Sequence, residues 1–474
     1  MSLFGADEGA RLEQAVGLLL SSIGGLPDID KPQAANILWS AGRYEAARFL
    51  GDLPELARCC DLSGLPGVNL VARVETDADR RELIRHHRMW AEKVEAKAAE
   101  RPLIRPPSDR PRPPFRLGLL SSDLRQHVVG FFAAPLFEHP DPRFELYCYS
   151  SLGGKPDRVR LWFEERATAY RQLPPDDHEA AAMIAADDLD MLIDLGGPTP
   201  HNRPALLAYR AAPVQACWLG YPHSLGLSAI DYLIVDPSLA PPRREFLTER
   251  ALSMPSSWVC MSEAAFPMQP AHQPTPPVAR TGRITFGTAN DPYKYSPKVL
   301  GAWAKVVAAV PGARFMIVRP EAGAPSFRNA VASHFAAEGV SADRLDFRPL
   351  RGAVRASYAD MDIALDTFPV TGGTTTCEAL WYGVPTVTLV GEALYERLSW
   401  ALLAGVGLGD LAATNLEDYV RIAVRLANDP ARIADLRATM RDRIQASPLG
   451  QPQRFAADYY DLMARAVAER GQAR

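Results

Sequence analysis

The sequence predicts an α/β protein of two doubly wound lobes facing a cleft, preceded by a small all-α N-terminal domain. Three observations lead there. Short apolar runs alternate with helical patterns over two long blocks, two proline clusters bound those blocks, and the segment before them carries helical spacing alone. Continuous apolar strands separated by helices imply parallel sheets covered on both faces. Ligands of such sheets bind beyond the carboxyl ends of the strands, so two lobes joined by a proline-rich segment predict a ligand cleft.

The elements follow in chain order. In EGARLEQAVGLLLSSI, residues Leu12, Val16, Leu19 and Leu20 repeat at the three- and four-residue spacing of one helix face. DADRRELIRHHRMWAEKVEAKAAE is rich in helix formers, and Thr76 before it is an N-cap. Residues 1–100 therefore read as a helical N-terminal domain. They show no 34-residue self-similarity, so no tetratricopeptide array is expected within the chain. RPLIRPPSDRPRPP opens a linker at 101–115, because proline lacks the amide donor of a sheet interior and disfavours helix in the residue before it. The first lobe, 116–268, has strands in FRLGLLSS, FELYCYS, LDMLIDL, VQACWLG and DYLIVD, with helices near 129–138, 157–166, 178–187 and 202–210. The second cluster, FPMQPAHQPTPPVARTG, places a linker at 269–282. The second lobe, 283–474, has strands in RITFGT, RFMIVR, RLDFRP, DIALDTF and PTVTLV, with helices between them and three more afterwards.

Composition excludes several functions. The 474 residues are 47% hydrophobic and 23% charged, and 52 Lys plus Arg against 56 Asp plus Glu leave a net charge of -4. That balance gives no electrostatic case for nucleic acid or an anionic membrane as partner. No apolar run approaches the roughly 20 residues of a membrane helix. MSLFGADEGARLEQAV lacks the basic start and apolar stretch of a signal peptide. Six scattered cysteines (59, 60, 148, 217, 260, 377) form no C-x-x-C pair and read as reduced thiols of a cytoplasmic protein.

Three places carry candidate chemistry. In DIALDTFPVTGGTTTCEALWYGVPTVTL an apolar strand is followed by Gly372, Gly373, Thr374, Thr375 and Thr376, which open a helix near Cys377. Glycines admit close backbone approach and free amides at a helix start face anions, so the turn suits a phosphate or pyrophosphate, with Glu378 placed to accept from a ribose diol. The same pattern also describes a threonine-capped helix whose early acidic residue favours the dipole. In FGTANDPYKYSP, Lys294 is a point charge for a nucleotide phosphate or simply a solvated loop lysine. In LGLLSSDLRQHVVGFF, His127 follows the lobe's first strand, where it transfers a proton, bonds a sugar hydroxyl or lies at the surface. There is no G-x-x-x-x-G-K-[ST], H-E-x-x-H or G-x-S-x-G. Asp360-Met361-Asp362 enters an apolar strand and reads as structural, so no metal is expected.

Several longer segments resemble one family. RELIRHHRMWAEKV, LGLLSSDLRQH, RAAPVQACWLGYPHSLGLSAIDYLIVDP and DIALDTFPVTGGTTTCEALWYGVPTVTLVGE, in this order, resemble glycosyltransferase family 41, the O-GlcNAc transferase and SPINDLY-like enzymes, over about Glu82 to Leu462. The resemblance implies a GT-B fold and an inverting, metal-independent transfer of a sugar, by default from UDP-GlcNAc, to Ser or Thr of a protein acceptor, with no cofactor beyond the donor. It puts His127 on the active-site histidine and Lys294 on the lysine contacting the donor diphosphate. Gly372, Gly373, Thr374 and Thr375 fall on the pyrophosphate turn, Glu378 on the ribose-holding acid, and Arg351 near a basic residue by the base. Asp291 matches a nucleobase-side Gln of animal members, and Tyr221, Pro222 and His223 lie on the acceptor and sugar side. The chain departs from the family at Gly196-Gly197-Pro198-Thr199 (commonly D-G-H-T), at Ala353-Val354-Arg355 (E-H-L) and at His223-Ser224 (G-T). A short helical front segment is also similar to the family's Asn-modifying N-glycosyltransferases. Asn transfer, flagellin modification with another nucleotide sugar, and a non-catalytic sugar-nucleotide binder are the alternatives.

Overall fold

The apolar runs become two parallel sheets in the computed structural model, which describes residues 3–59, 68–105, 110, 112–263, 266, 274–350 and 354–472. The first sheet holds β1 (Phe115–Leu120), β2 (Phe144–Ser150), β3 (Ala169–Gln172), β4 (Met191–Asp194), β5 (Val214–Cys217), β6 (Tyr232–Val235) and β7 (Arg250–Ser253), ordered β3-β2-β1-β4-β5-β6-β7. The second holds β8 (Thr285–Thr288), β9 (Arg314–Val318), β10 (Leu345–Arg348), β11 (Ile363–Leu365), β12 (Thr386–Leu389) and β13 (Ala412–Ala413), ordered β10-β9-β8-β11-β12-β13. All pairings are parallel. The strand order reverses between β1 and β4, and again between β8 and β11. In each sheet, the loops leaving the two strands at the reversal flank the crevice where a doubly wound sheet takes its ligand.

Three strands have no counterpart in the sequence reading: β3, β7 and β13. All lie at sheet edges. An edge strand buries little of itself, so AYRQ and RALS lack the apolar run that marks the interior strands. The helix expected over 202–210 is instead a 3₁₀ turn, Pro204–Tyr209, ended by Arg210 in the left-handed region.

The chain groups into two compact units. One compact unit comprises residues 1–60, 69–79 and 268–445, and the other 61–68, 80–267 and 446–474. The front helices up to Cys59 pack on one another and on the six-stranded lobe, whereas helix Asp77–Glu100 packs on the seven-stranded lobe. On the six-stranded lobe, helix Leu3–Ser22 buries Val16, and Glu13 accepts from Ser326 N at 3.0 Å and Oγ at 2.6 Å. Leu20, assigned to the same face, stays 41% exposed. Helix Lys31–Ser40 buries Leu38 and Trp39, and Trp39 meets Tyr44 edge-on at 5.0 Å. On the seven-stranded lobe, helix Asp77–Glu100 buries Leu83, Ile84, His87 and Trp90, and its Glu95 accepts from Ser228 N at 2.6 Å. Thr76 caps this helix as expected: its Oγ1 accepts from Asp79 N at 3.2 Å, and the Asp79 carboxylate accepts from Thr76 N at 2.8 Å. The terminal helix Pro452–Gln472 packs Phe455 and Tyr459 on Trp218, and Tyr460 donates to Leu136 O at 2.7 Å. Among the described residues no helix is long and apolar enough to cross a membrane.

Candidate active site

In the six-stranded lobe, the loops after β8 and β11 meet on a buried carboxylate. Asp366 follows β11 directly and is 1% exposed. Its Oδ1 accepts from Thr367 N and Gly372 N, each at 2.9 Å, and from Asn290 Nδ2 at 3.2 Å. Its Oδ2 accepts from Thr388 Oγ1 at 2.7 Å. Burial pushes the Asp366 carboxyl above its ordinary range against these donors. The chain thereby folds back after Pro369 and delivers Gly372 and Gly373 to the start of helix Thr374–Trp381. Ser399 Oγ donates to Gly372 O at 2.7 Å and fixes the other side of the turn. A Cβ on Gly372 would stand 2.5 Å from Thr375 Oγ1 and 2.6 Å from Thr376 Oγ1, so the turn admits no side chain there. Gly373 is the N-cap and brings no side chain to close the helix start, which leaves the first-turn amides for an anion.

Asn290 and Lys294 come from the loop after β8. The Asn290 amide oxygen accepts from Thr375 Oγ1 at 3.0 Å and from Lys294 Nζ at 3.3 Å, and Lys294 also donates to Thr371 O at 3.1 Å. Lys294 is half-buried, not the exposed lysine of the sequence reading. Burial lowers its pKa, opposed by the charges of Asp366 and Asp291. The structure thus joins Lys294, Gly372 and Thr375 in one network through Asn290 and Asp366, two residues the motifs do not single out. Glu378 is half-buried on the same helix, in hydrogen-bonding contact with the Tyr358 hydroxyl, which also donates to Thr375 O at 3.3 Å. Asp291, whose charge also acts on Lys294, pairs with Arg319 at 2.9 Å. Arg351 and Ala353 lie outside the described residues, as do the side chains of Val354 and Arg355. Asp362 is buried and accepts from Val278 N and Thr285 N, each at 2.9 Å, which makes it a structural acid. Among the described residues no group of three or more His, Cys, Asp or Glu side chains is arranged to hold an ion.

In the seven-stranded lobe, His127 follows β1 as the N-cap of helix Val128–Glu138, its Nδ1 accepting from Val129 N at 3.3 Å. A ring nitrogen that accepts from an amide carries no proton, so in the neutral ring Nε2 holds the hydrogen and is the donor. Burial lowers the His127 pKa, which Asp123, 3.8 Å away, opposes. The ring in this state donates to a hydroxyl or an oxyanion; it takes up a proton only by giving up the cap. Asn202 steadies the loop, accepting from Ser122 N at 2.8 Å and donating to Asp123 at 3.0 Å.

Asp194 ends β4 opposite this loop and is 2% exposed, accepting from Gly197 N at 2.7 Å. Burial raises its pKa from 3.8 to about 6. The native state therefore favours the protonated acid, a contribution complete below about pH 4 and lost as pH rises through about 6. Asp194→Asn removes that loss, so its stability relative to wild type should grow by about 3 kcal/mol between pH 3 and pH 7. Urea melts across that range check this; a gap that stays constant with pH refutes it.

Tyr221 and His223, which the resemblance puts on the acceptor and sugar side, are buried. The Tyr221 hydroxyl donates to His87 Nε2 at 2.8 Å, and His87 Nδ1 donates to Leu83 O at 2.7 Å. The His223 ring lies 4.5 Å from that of His87. Burial, then His223, drives the His87 pKa well down, so the cluster is neutral and fastens helix Asp77–Glu100 to the lobe. Only Pro222 of the three keeps partial exposure.

Two Rossmann-like lobes, each a doubly wound parallel sheet covered by helices, define a GT-B fold. The chain belongs to glycosyl transferase family 41, whose model matches residues 75–264 and 280–459. It is 36% identical over 362 residues to a SPINDLY protein of Eustoma exaltatum subsp. russellianum, described as a probable UDP-N-acetylglucosamine–peptide N-acetylglucosaminyltransferase, covering 74% of this chain and 39% of that protein. To the Arabidopsis thaliana SPINDLY protein, described in the same words, it is 34% identical over 357 residues, or 73% of this chain and 38% of that one. The chain thus spans about two fifths of the length of these curated relatives. A solved structure of a mutant Thermobaculum terrenum O-GlcNAc transferase matches all of both chains with a TM-score of 0.75 and 26% identity.

Proposed function

We propose that this chain is an inverting glycosyltransferase that moves a sugar from a nucleotide donor, UDP-GlcNAc by default, to Ser or Thr of a protein acceptor. The observation that carries the reading is the network joining Lys294, Asn290, Thr375 and Gly372 at the carboxyl ends of β8 and β11. A departing nucleoside diphosphate needs its growing charge met by groups already in place. The Lys294 ammonium, the Thr375 hydroxyl and the first-turn amides of helix Thr374–Trp381 are such groups, held before any ligand arrives. Lys294 and the helix start then do the work a divalent cation does elsewhere. His127, donating from Nε2, binds a sugar hydroxyl or the acceptor oxygen, and the acceptor's proton passes to another base, such as a donor phosphate oxygen. Glu378 is the group for the ribose diol. The relatives' described acceptor, a peptide, supports the substrate class.

Another nucleotide sugar is the second reading, and Asp291 favours it. An ionised carboxylate only accepts hydrogen bonds, and this one already faces Arg319, whereas the Gln of animal members both donates and accepts. Titration with UDP, GDP and CMP species, donor hydrolysis, and intact-mass analysis of a co-expressed acceptor test the proposal together. Saturable UDP binding with a mass increase mapped to Ser or Thr is the expected result. Binding of GDP or CMP alone moves the assignment to the second reading, and no binding at millimolar levels refutes both.

A further inference from the structure

A groove of about 310 Å³ lies in the seven-stranded lobe between helix Asp77–Glu100 and the 3₁₀ turn Pro204–Tyr209. Its walls are apolar, with Trp90 and Val94 on the helix side and Pro204 and Tyr209 opposite. Trp90 is 4% exposed, yet its indole N–H has no acceptor among the described residues. Buried indole donors ordinarily find a partner.

Lysines line the helix side of the groove, and the acids Asp177, Asp176 and Glu100 act on Tyr209. Lys93 and Lys97 are four residues apart, hence on one helix face, and both are exposed. Among the described residues neither pairs with a carboxylate, whereas the neighbouring Arg85 and Arg101 do. The acid in the groove, Asp177, is matched by Arg203 Nε at 3.0 Å, and Arg203 is pinned further by donating to Pro174 O at 2.6 Å and Pro175 O at 2.7 Å. Two ammonium groups without a paired carboxylate among the described residues therefore stand over an apolar trough. The groove also has a direction. Asn202 lines it and is the residue that holds Ser122 and Asp123 in the loop carrying His127.

We propose that this groove receives the stretch of the acceptor polypeptide flanking the modified residue, with an acidic side chain at Lys93 and Lys97 and an apolar one between Trp90 and Tyr209. The proposal rests on the protein glycosyltransferase reading and gives it a source of acceptor selectivity. An extended chain sends alternate side chains to opposite sides, which lets one segment meet both features. The chain's net negative charge leaves this local basic strip, rather than a general field, to choose the partner.

The test is selection by the immobilised full chain from a library of nine-residue peptides with a central Ser and all other positions randomised, read by mass spectrometry. Wild type should enrich peptides pairing Asp or Glu with a nearby Leu, Ile, Val or Phe about fivefold over the input. The Lys93→Glu/Lys97→Glu variant should lose that preference and select Lys and Arg instead, while Tyr209→Ala should lose the apolar preference and keep the acidic one. No acidic enrichment by wild type, the same selection by the charge-reversed variant, or enrichment of acids without apolar neighbours overturns the proposal. Hydrolysis of the nucleotide sugar is measured alongside, and the charge-reversed variant should match wild type. Its absence from both proteins refutes the transferase reading separately, since peptide selection requires no chemistry.

Discussion

Lys294→Ala should lower kcat by about 10²- to 10³-fold, roughly 3 to 4 kcal/mol of transition-state stabilisation, the range found when one preorganised charge-stabilising donor is removed. The folded state should barely respond. Lys294 is half-buried, and its two partners, Thr371 O and the Asn290 amide, lose a donor but are not left with a bare buried charge. Asp366, whose charge Lys294 faces, keeps all four of its own donors. Burial already lowers the Lys294 pKa, so removing the side chain also lifts a desolvation penalty. Steady-state kinetics and a thermal melt on the same preparation check both halves of the prediction. A well-folded variant with wild-type turnover removes Lys294 from the mechanism; a large fall in Tm makes it a structural residue.

The parts of the site legible in the sequence were those that lie together along the chain. Gly372 to Thr376 form one turn, and the turn alone announces both its backbone freedom and its open helix start. Lys294 was legible as the cation in the loop after a strand. Asn290 and Asp366 were not, although they orient every group around them, because they meet across 76 residues and their polarity has no local pattern. Tyr221 and His223 are held by a partner that no local pattern announces. They sit in a segment resembling a sugar-side motif, but their partner, His87, is 134 residues away from Tyr221, and it draws them into the lobe. The same reasoning applies to the fold. Interior strands must be apolar on both faces and are read directly, whereas β3, β7 and β13 take their structure from the strand beside them. The front helices advertised their apolar stripes but not which lobe would cover them.

Asp366→Ala should be the most destabilising single change in the six-stranded lobe's site. It leaves Thr367 N, Gly372 N, Asn290 Nδ2 and Thr388 Oγ1 buried without their acceptor, and an orphaned buried donor costs about 1 to 3 kcal/mol. Even partial relaxation leaves a loss above about 4 kcal/mol, which for a unit of this size lowers Tm by about 10 °C or more. Asp366→Asn separates shape from charge. Its amide oxygen still accepts from Gly372 N and Thr367 N, and its NH₂ donates to Thr388 Oγ1, a hydroxyl that can reverse its role, so the fold should survive with a loss near 1 kcal/mol. Catalysis should still suffer, because the Asp366 charge is what chiefly opposes the lowering of the Lys294 pKa. Without it the ammonium loses its proton at lower pH, and the alkaline limb of the pH–rate profile should move towards neutrality. An Asn variant with an unmoved alkaline limb would show that Lys294 does not depend on this carboxylate, and an Ala variant as stable as wild type would show that the turn holds itself.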